Sequence, residues 1–209
     1  MPTIEYIVNK KKVPGVTTIL SRFKLSTPLI IWANRLGLEG KDYFKELNKA
    51  GDIGTELHNL AELHIKNEHY DLPEDETVKN CFNQFLDWWD KSNYQVTWTE
   101  KPYASKKLFY GGCPDLLVNG NTLIDFKTSK GIYLDYLIQL SAYAALIKEV
   151  DGIEIEQAII VRFPKDNDTT EFATFSKADL KAAFKQFKLF RKAFDIDKDL
   201  NKLMRKKNG

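Results

Sequence analysis

The sequence predicts one domain of the mixed α/β class, and three observations carry that prediction. Two short apolar runs, Asp115–Val118 and Thr122–Phe126, flank Asn119-Gly120-Asn121. Asn-Gly between alternating runs signals a tight hairpin, because both residues tolerate positive φ. Segments with apolar residues at spacings of three and four stand on both sides of that hairpin and read as helices. A short unbroken apolar run, Ala158-Ile159-Ile160-Val161, reads as a fully buried strand. At 209 residues the chain is long enough for one well-buried core and short for two.

Taken in order, Ile4–Val8 alternates as a short strand and Asn9–Lys12 is a basic turn. Val13-Pro14-Gly15 starts extended, and a short helix follows from the threonines Thr17-Thr18. Thr27-Pro28 starts a helix that runs to Gly37 and buries Leu29, Trp32, Ala33 and Leu36. Asp42–Ala50 and Ile53–Asn67 read as two further helices. On the second, His58 and Glu62 are four apart and share a face, with the plain reading of an exposed His–Glu pair. Leu72–Glu76 is an acidic linker. Glu76–Ser92 is a helix whose stripe of Val78, Phe82, Phe85, Leu86 and Trp89 faces the core. Tyr94–Ala104 alternates as a strand with Glu100 to one side, paired with Leu108–Gly112 across a turn at Lys106-Lys107.

Beyond the hairpin, Leu134–Val150 is a strongly apolar helix carrying Gln139 and Tyr143 at i, i+4. Glu156–Phe163 is the buried strand and Thr170–Phe175 an edge strand. Ser176 caps a last helix, Lys177–Phe194, with Leu180, Ala183, Phe184, Phe187 and Phe190 on its apolar face. The final residues, Leu203–Gly209, are expected to fray.

The chemistry concentrates at the hairpin. Antiparallel pairing brings Asp115 and Asp125 together from opposite strands. Lys127 shares the face of Asp125 by the period-2 rule. Two carboxylates and an ammonium thus converge at one end of an apolar hairpin. A lone D-x-K is common, and by itself reads as a surface salt bridge at a strand end.

The wider pattern is more specific. Gly54-x-x-x-His58-x-x-x-Glu62, then Gly112-x-x-Asp115, then Asp125-x-Lys127-Thr128, then Gln139-x-x-x-Tyr143 resembles, in order and spacing, the RecB-type branch of the PD-(D/E)xK nucleases. The opening, with Val13-Pro14-Gly15-Val16-Thr17 where relatives carry VPSVT, is similar to mitochondrial genome-maintenance exonucleases and related phage exonucleases. Gly15 in place of serine is a mild departure. The resemblance spans Val13 to about Phe190. It implies a restriction-endonuclease-like mixed β-sheet flanked by helices. Residues 17–92 would form an N-terminal helical wall, 94–176 the catalytic sheet and helix, and 177–209 the C-terminal helix and basic tail.

By that resemblance His58, Asp115, Asp125 and the Phe126 carbonyl would bind Mg²⁺ or Mn²⁺, whose preference is for hard oxygen donors. Asp115, Asp125 and Lys127 would be the catalytic residues. Glu62 and Glu100 would orient His58 or serve a second ion. Gln139, Tyr143, Thr128 and Lys130 would position DNA. The implied activity is a metal-dependent DNA exonuclease acting on single-stranded ends. The alternatives are a structure-specific or nicking endonuclease and a non-catalytic DNA-binding protein that has kept the fold. Cys81 and Cys113 are the only cysteines, too few for the four-cysteine iron–sulfur cluster of some relatives, so none is expected.

The bulk numbers set looser bounds. An apolar fraction of 43% with 29% charged residues is that of an ordinary globular protein. No apolar run approaches a membrane span, and the opening MPTIEYIVNKKK has neither a secretory h-region nor an arginine-rich transit pattern, so a cytoplasmic location is expected. The net charge of +2 does not argue for nucleic acid, but residues 181–209 hold ten Lys/Arg against three Asp. Such a tail is either a solvated helix face or a grip on a phosphate backbone.

Overall fold

A computed structural model describes residues 4–23, 27–166 and 169–207. The chain opens with a small hairpin, β1 (Tyr6–Val8) and β2 (Lys11–Val13), followed by helices α1 (Val16–Phe23), α2 (Thr27–Leu38), α3 (Tyr43–Ile65) and α4 (Glu76–Lys91). Then come strands β3 (Val96–Thr99), β4 (Tyr103–Ser105), β5 (Tyr110–Gly112), β6 (Leu116–Val118) and β7 (Thr122–Lys127). Helix α5 (Leu134–Asp151), strands β8 (Gln157–Arg162) and β9 (Glu171–Ser176), and helix α6 (Lys177–Lys207) complete it.

Five strands form a mixed sheet in the order β3-β6-β7-β8-β9. β7 and β8 run parallel, joined through α5, and the other neighbouring pairs are antiparallel. Side-chain alternation sends each strand's residues to two cores. Leu117, Leu123, Ala158 and Ile160 pack under α1, α5 and α6. Leu116, Val118, Ile124, Phe126, Ile159 and Val161 pack against α3 and α4. β6 and β7 are buried on both faces, so both faces of these runs are apolar except at the site end. The architecture is therefore the helix-flanked mixed sheet expected from the sequence; of the wall expected over 17–92, α3 and α4 cover one face, while α1 packs with α5 and α6 on the other. No helix among the described residues is long and apolar enough to cross a membrane.

Several local expectations are corrected. The basic turn Asn9–Lys12 holds a strand of its own. Asn9 and Lys10 take positive φ (50° and 61°), so Lys11–Val13 folds straight back on β1. Asp42–Ala50 and Ile53–Asn67 are one helix. The Asp42 side chain accepts a hydrogen bond from Lys45 N at its start, and the helix runs unbroken through Gly51 and Gly54. Two interior glycines disfavour a helix by roughly 1 kcal/mol each relative to alanine, and burial of Ile53, Leu57 and Leu60 outweighs that. On α2 only Leu36 of the four expected residues is buried. Leu29 is exposed, while Trp32 and Ala33 are half-buried.

The strand expected over Tyr94–Ala104 breaks at Glu100, whose φ of 42° turns the chain from the main sheet into a separate β4–β5 pair. Helix α6 continues well past Phe194 to Lys207, and residues 208 and 209 lie outside the described residues. Ser176 and Asp179 cap its start reciprocally, as Ser176 N and Oγ both donate to the Asp179 carboxylate.

The glycine pair before the hairpin is a packing device. A Cβ on Gly111 would lie 2.1 Å from Tyr6 Cγ, and one on Gly112 would lie 2.5 Å from Tyr143 Cε1. Both contacts are far inside van der Waals distance, so Gly111→Ala and Gly112→Ala should each lose about 1–3 kcal/mol of stability. Urea unfolding curves check this, and an unchanged midpoint in either variant would contradict the packing.

Candidate active site

The Asn-Gly turn sets the register. Asn119 (φ 53°) and Gly120 (φ 75°) take the left-handed conformation, and Leu116 then pairs with Ile124. That register places Asp115 beside the far end of β7, where Asp115 Oδ2 accepts the Phe126 backbone N–H at 2.8 Å. Asp125, 1% exposed, follows on the same face, and the Lys127 ammonium lies in direct contact with Asp125 Oδ2. The ammonium also sits 5.0 Å from the ring centroid of Tyr136 on α5.

From the other side of the sheet end, α3 delivers His58. Its Nε2–H donates to the Phe126 carbonyl at 3.0 Å, and its Nδ1 faces Asp115 Oδ1 at 3.5 Å. Three elements of the sequence pattern, distant along the chain, thus meet at one point.

The electrostatics follow from burial. Desolvation opposes the imidazolium of His58, but the adjacent Asp115 outweighs it and pushes the pKa up to about 8. Desolvation likewise opposes the Asp115 carboxylate, and the charge and hydrogen bond of His58 hold it below its ordinary value. Asp125 goes the other way. Burial pushes it up to about 6 against the pull of Lys127, with the charge of Asp115 adding to the rise. Lys127 is raised, since Asp125 and Asp115 together exceed its own desolvation. The result is one hydrogen-bonded carboxylate and one strained carboxylate, side by side.

Asp125 Oδ1 has no hydrogen-bond partner among the described residues, so a fully buried acceptor stands open. Two carboxylates, a backbone carbonyl and an imidazole form a donor set suited to a hard divalent cation. The side chains alone do not make a preformed cluster among the described residues.

The remaining expected residues are placed as follows. Glu62 pairs with Lys66 one turn on, at 2.5 Å. Glu100 is half-buried, its backbone N donates to Asp115 O, and its carboxyl is pushed up to about 7 by burial, with Asp115 and Glu62 adding. Both acids therefore share the field of the site. Gln139 (9% exposed) and Tyr143 (4%) are buried, and Gln139 Nε2 donates to the Tyr143 hydroxyl at 2.8 Å. They stand behind the site, with Tyr143 in the field of Asp125 and Asp115. Thr128 is half-buried facing Gly54, and Lys130 is exposed.

Tyr136 and Lys165 carry no motif and escape a reading by pattern. One signal could have found Lys165. It follows a buried parallel strand, and ligands in such sheets gather at the strands' carboxyl ends.

Fold and site together define a mixed-sheet α/β protein with a buried carboxylate–lysine centre completed by a helix-borne histidine. No family model matches the chain, and no curated protein does. Among solved structures, it is similar to a Eubacterium rectale protein assigned as an exonuclease, with 10% identity, TM-score 0.44, and coverage of 79% of this chain and 65% of that one. It is also similar to LHK-Exo in complex with dAMP (12% identity, TM-score 0.42, 74% of this chain and 86% of that one). LHK-Exo is an alkaline exonuclease of Laribacter hongkongensis, whose second structure matches at 10% identity and TM-score 0.37, over 71% of this chain and 85% of that one.

Proposed function

We propose that this chain is a divalent-metal-dependent DNA exonuclease that hydrolyses phosphodiester bonds from single-stranded ends. The observation that carries the reading is the meeting of Asp115, Asp125, Lys127 and His58 at one sheet end, with an open carboxylate oxygen buried among them. Asp115, Asp125, the Phe126 carbonyl and His58 would hold Mg²⁺ or Mn²⁺, which when bound polarises a phosphoryl oxygen and acidifies water.

The chain's own residues do the rest. Lys127, held by Asp125 and lying over Tyr136, offers its ammonium to the charge that develops on the phosphate oxygens. His58, anchored on α3, fixes the distance between helical wall and sheet end and thereby the width of the opening. Asp115 is locked by the Phe126 N–H, so one carboxylate stays put while Asp125 answers to the cation's charge. Gln139 and Tyr143 hold the apolar backing in register.

The α3–α4 wall stands over the sheet end on one side, which favours a threaded end over a closed strand. Linear single-stranded DNA should be digested from its ends in the presence of Mn²⁺, with little cutting of blunt duplex. A covalently closed single-stranded circle should survive an enzyme excess that consumes the linear form. Efficient nicking of the circle, read on a denaturing gel, would replace this reading by the endonuclease one.

A further inference from the structure

A groove of about 490 Å³ runs from Lys127 and His58 along the N-terminal half of α3. Its floor is small: Ala50, Gly51, Gly54 and Thr55 recur at spacings of three and four, so one helix face offers little but backbone. A Cβ at Gly51 would meet nothing within 4 Å, which makes that gap open space rather than a packing need. The facing wall is Thr128 and Ser129, just beyond the β7 end.

Lys165, from the loop after β8, reaches across this groove. Its ammonium donates to Ala50 O at 2.7 Å, and it is half-buried. No carboxylate pairs with it among the described residues, and burial lowers its pKa. An ammonium has three donors, and a partly desolvated cation without a counterion is a seat for an anion. The exposed ring of Phe44 (71%) lies on the same helical stripe, two turns before Gly51. Ala50 precedes His58 by about 12 Å of helix rise. The volume falls within the range of small-ligand sites and suits a nucleotide-sized group.

We propose that this groove seats the single-stranded nucleotide adjoining the one attacked, with Lys165 binding its phosphate. The inference rests on the nuclease reading and goes beyond it in naming where the strand lies and what holds it. Lys165 is a positioning residue for the substrate. Gly51 keeps the floor low, because a bulky side chain there would occupy the strand's place. Thr55, Thr128 and Ser129 supply hydroxyls along the path of the phosphate backbone.

The test is equilibrium binding of a fluorescent single-stranded oligonucleotide in EDTA, read by anisotropy across a salt series, with cleavage of linear strands in Mn²⁺ measured in parallel. Lys165→Gln should lower the log–log salt slope by about 0.7, the value for one lost phosphate contact on a single strand. Gly51→Leu should weaken binding by about tenfold or more by filling the groove, and its fold is protected because it adds helix propensity in open space. Gly51→Ala, which adds propensity with little volume, should bind close to the unaltered protein.

If the unaltered protein cleaves linear strands but Gly51→Leu binds as tightly as Gly51→Ala, the groove proposal is overturned and the nuclease reading stands. An unchanged salt slope in Lys165→Gln removes the phosphate contact in the same way. An unaltered protein that neither binds nor cleaves single strands overturns both.

Discussion

Asp125→Ala should abolish DNA cleavage while the protein remains folded. Among the described residues, Asp125 is the one carboxylate that is buried, raised in pKa and provided with an open oxygen. Such a group is expensive in the metal-free chain unless its charge is used. The strand that carries it is paired residue for residue with β8, so removal of one side chain leaves the sheet's backbone bonds in place. Asp115→Ala should have the same effect on cleavage. It also strips the acceptor from Phe126 N and the counterion from His58, so its melting temperature should fall further than that of Asp125→Ala. EDTA should silence cleavage by the unaltered protein, and added Mn²⁺ should restore it. Cleavage near the original rate by either variant, with circular dichroism confirming the fold, would remove the proposed centre.

Lys127→Ala should still bind single-stranded DNA but lose rate by roughly 10²-fold or more, equivalent to about 2.7 kcal/mol of transition-state stabilisation. The ammonium is held between Asp125 and the face of Tyr136, which fixes its position before substrate arrives. A preorganised charge of this kind acts on the charge that develops during the reaction and adds little to ground-state affinity. The expected signature is a fall in kcat with KM nearly unchanged. A normal kcat combined with lost affinity would make Lys127 a binding residue instead. Lys127→Arg should not restore the rate, because a longer, planar, delocalised guanidinium does not reproduce the compact point charge that the ammonium holds at this position.

The two glycines at 111 and 112 show how motif and packing share residues. The sequence pattern marks Gly112 because it precedes Asp115 at a fixed spacing, and the structure gives the reason. The ring of Tyr143, the last residue of the Gln139 pattern, lies where a Cβ would be. Two motif elements that look independent along the chain are one steric contact in space. That contact holds the backbone leading into Asp115 against α5, and so helps to aim the carboxylate.

The sequence by itself determined the hairpin, the closeness of Asp115 to Asp125, and the face shared by Asp125 and Lys127. These are local consequences of an Asn-Gly turn and a period of two, and local rules are enough to state them. It also determined that α4, α5 and α6 are helices, since their apolar stripes or runs are long and uninterrupted.

Tertiary structure alone decided the rest. Whether Gly51 and Gly54 break a helix depends on how much apolar surface the continuous helix buries, which no local window contains. Whether the Tyr94–Ala104 run stays in one sheet depended on Glu100 adopting positive φ beside Asp115. Gln139 and Tyr143, expected to position DNA, are buried because α5 packs that side into the core. Lys165 stands 115 residues from the carbonyl it meets, so only the folded chain could bring it to the groove. Spacing along the chain fixes which residues share a face; which faces meet is fixed by the burial of two cores on one sheet, a property of the whole molecule.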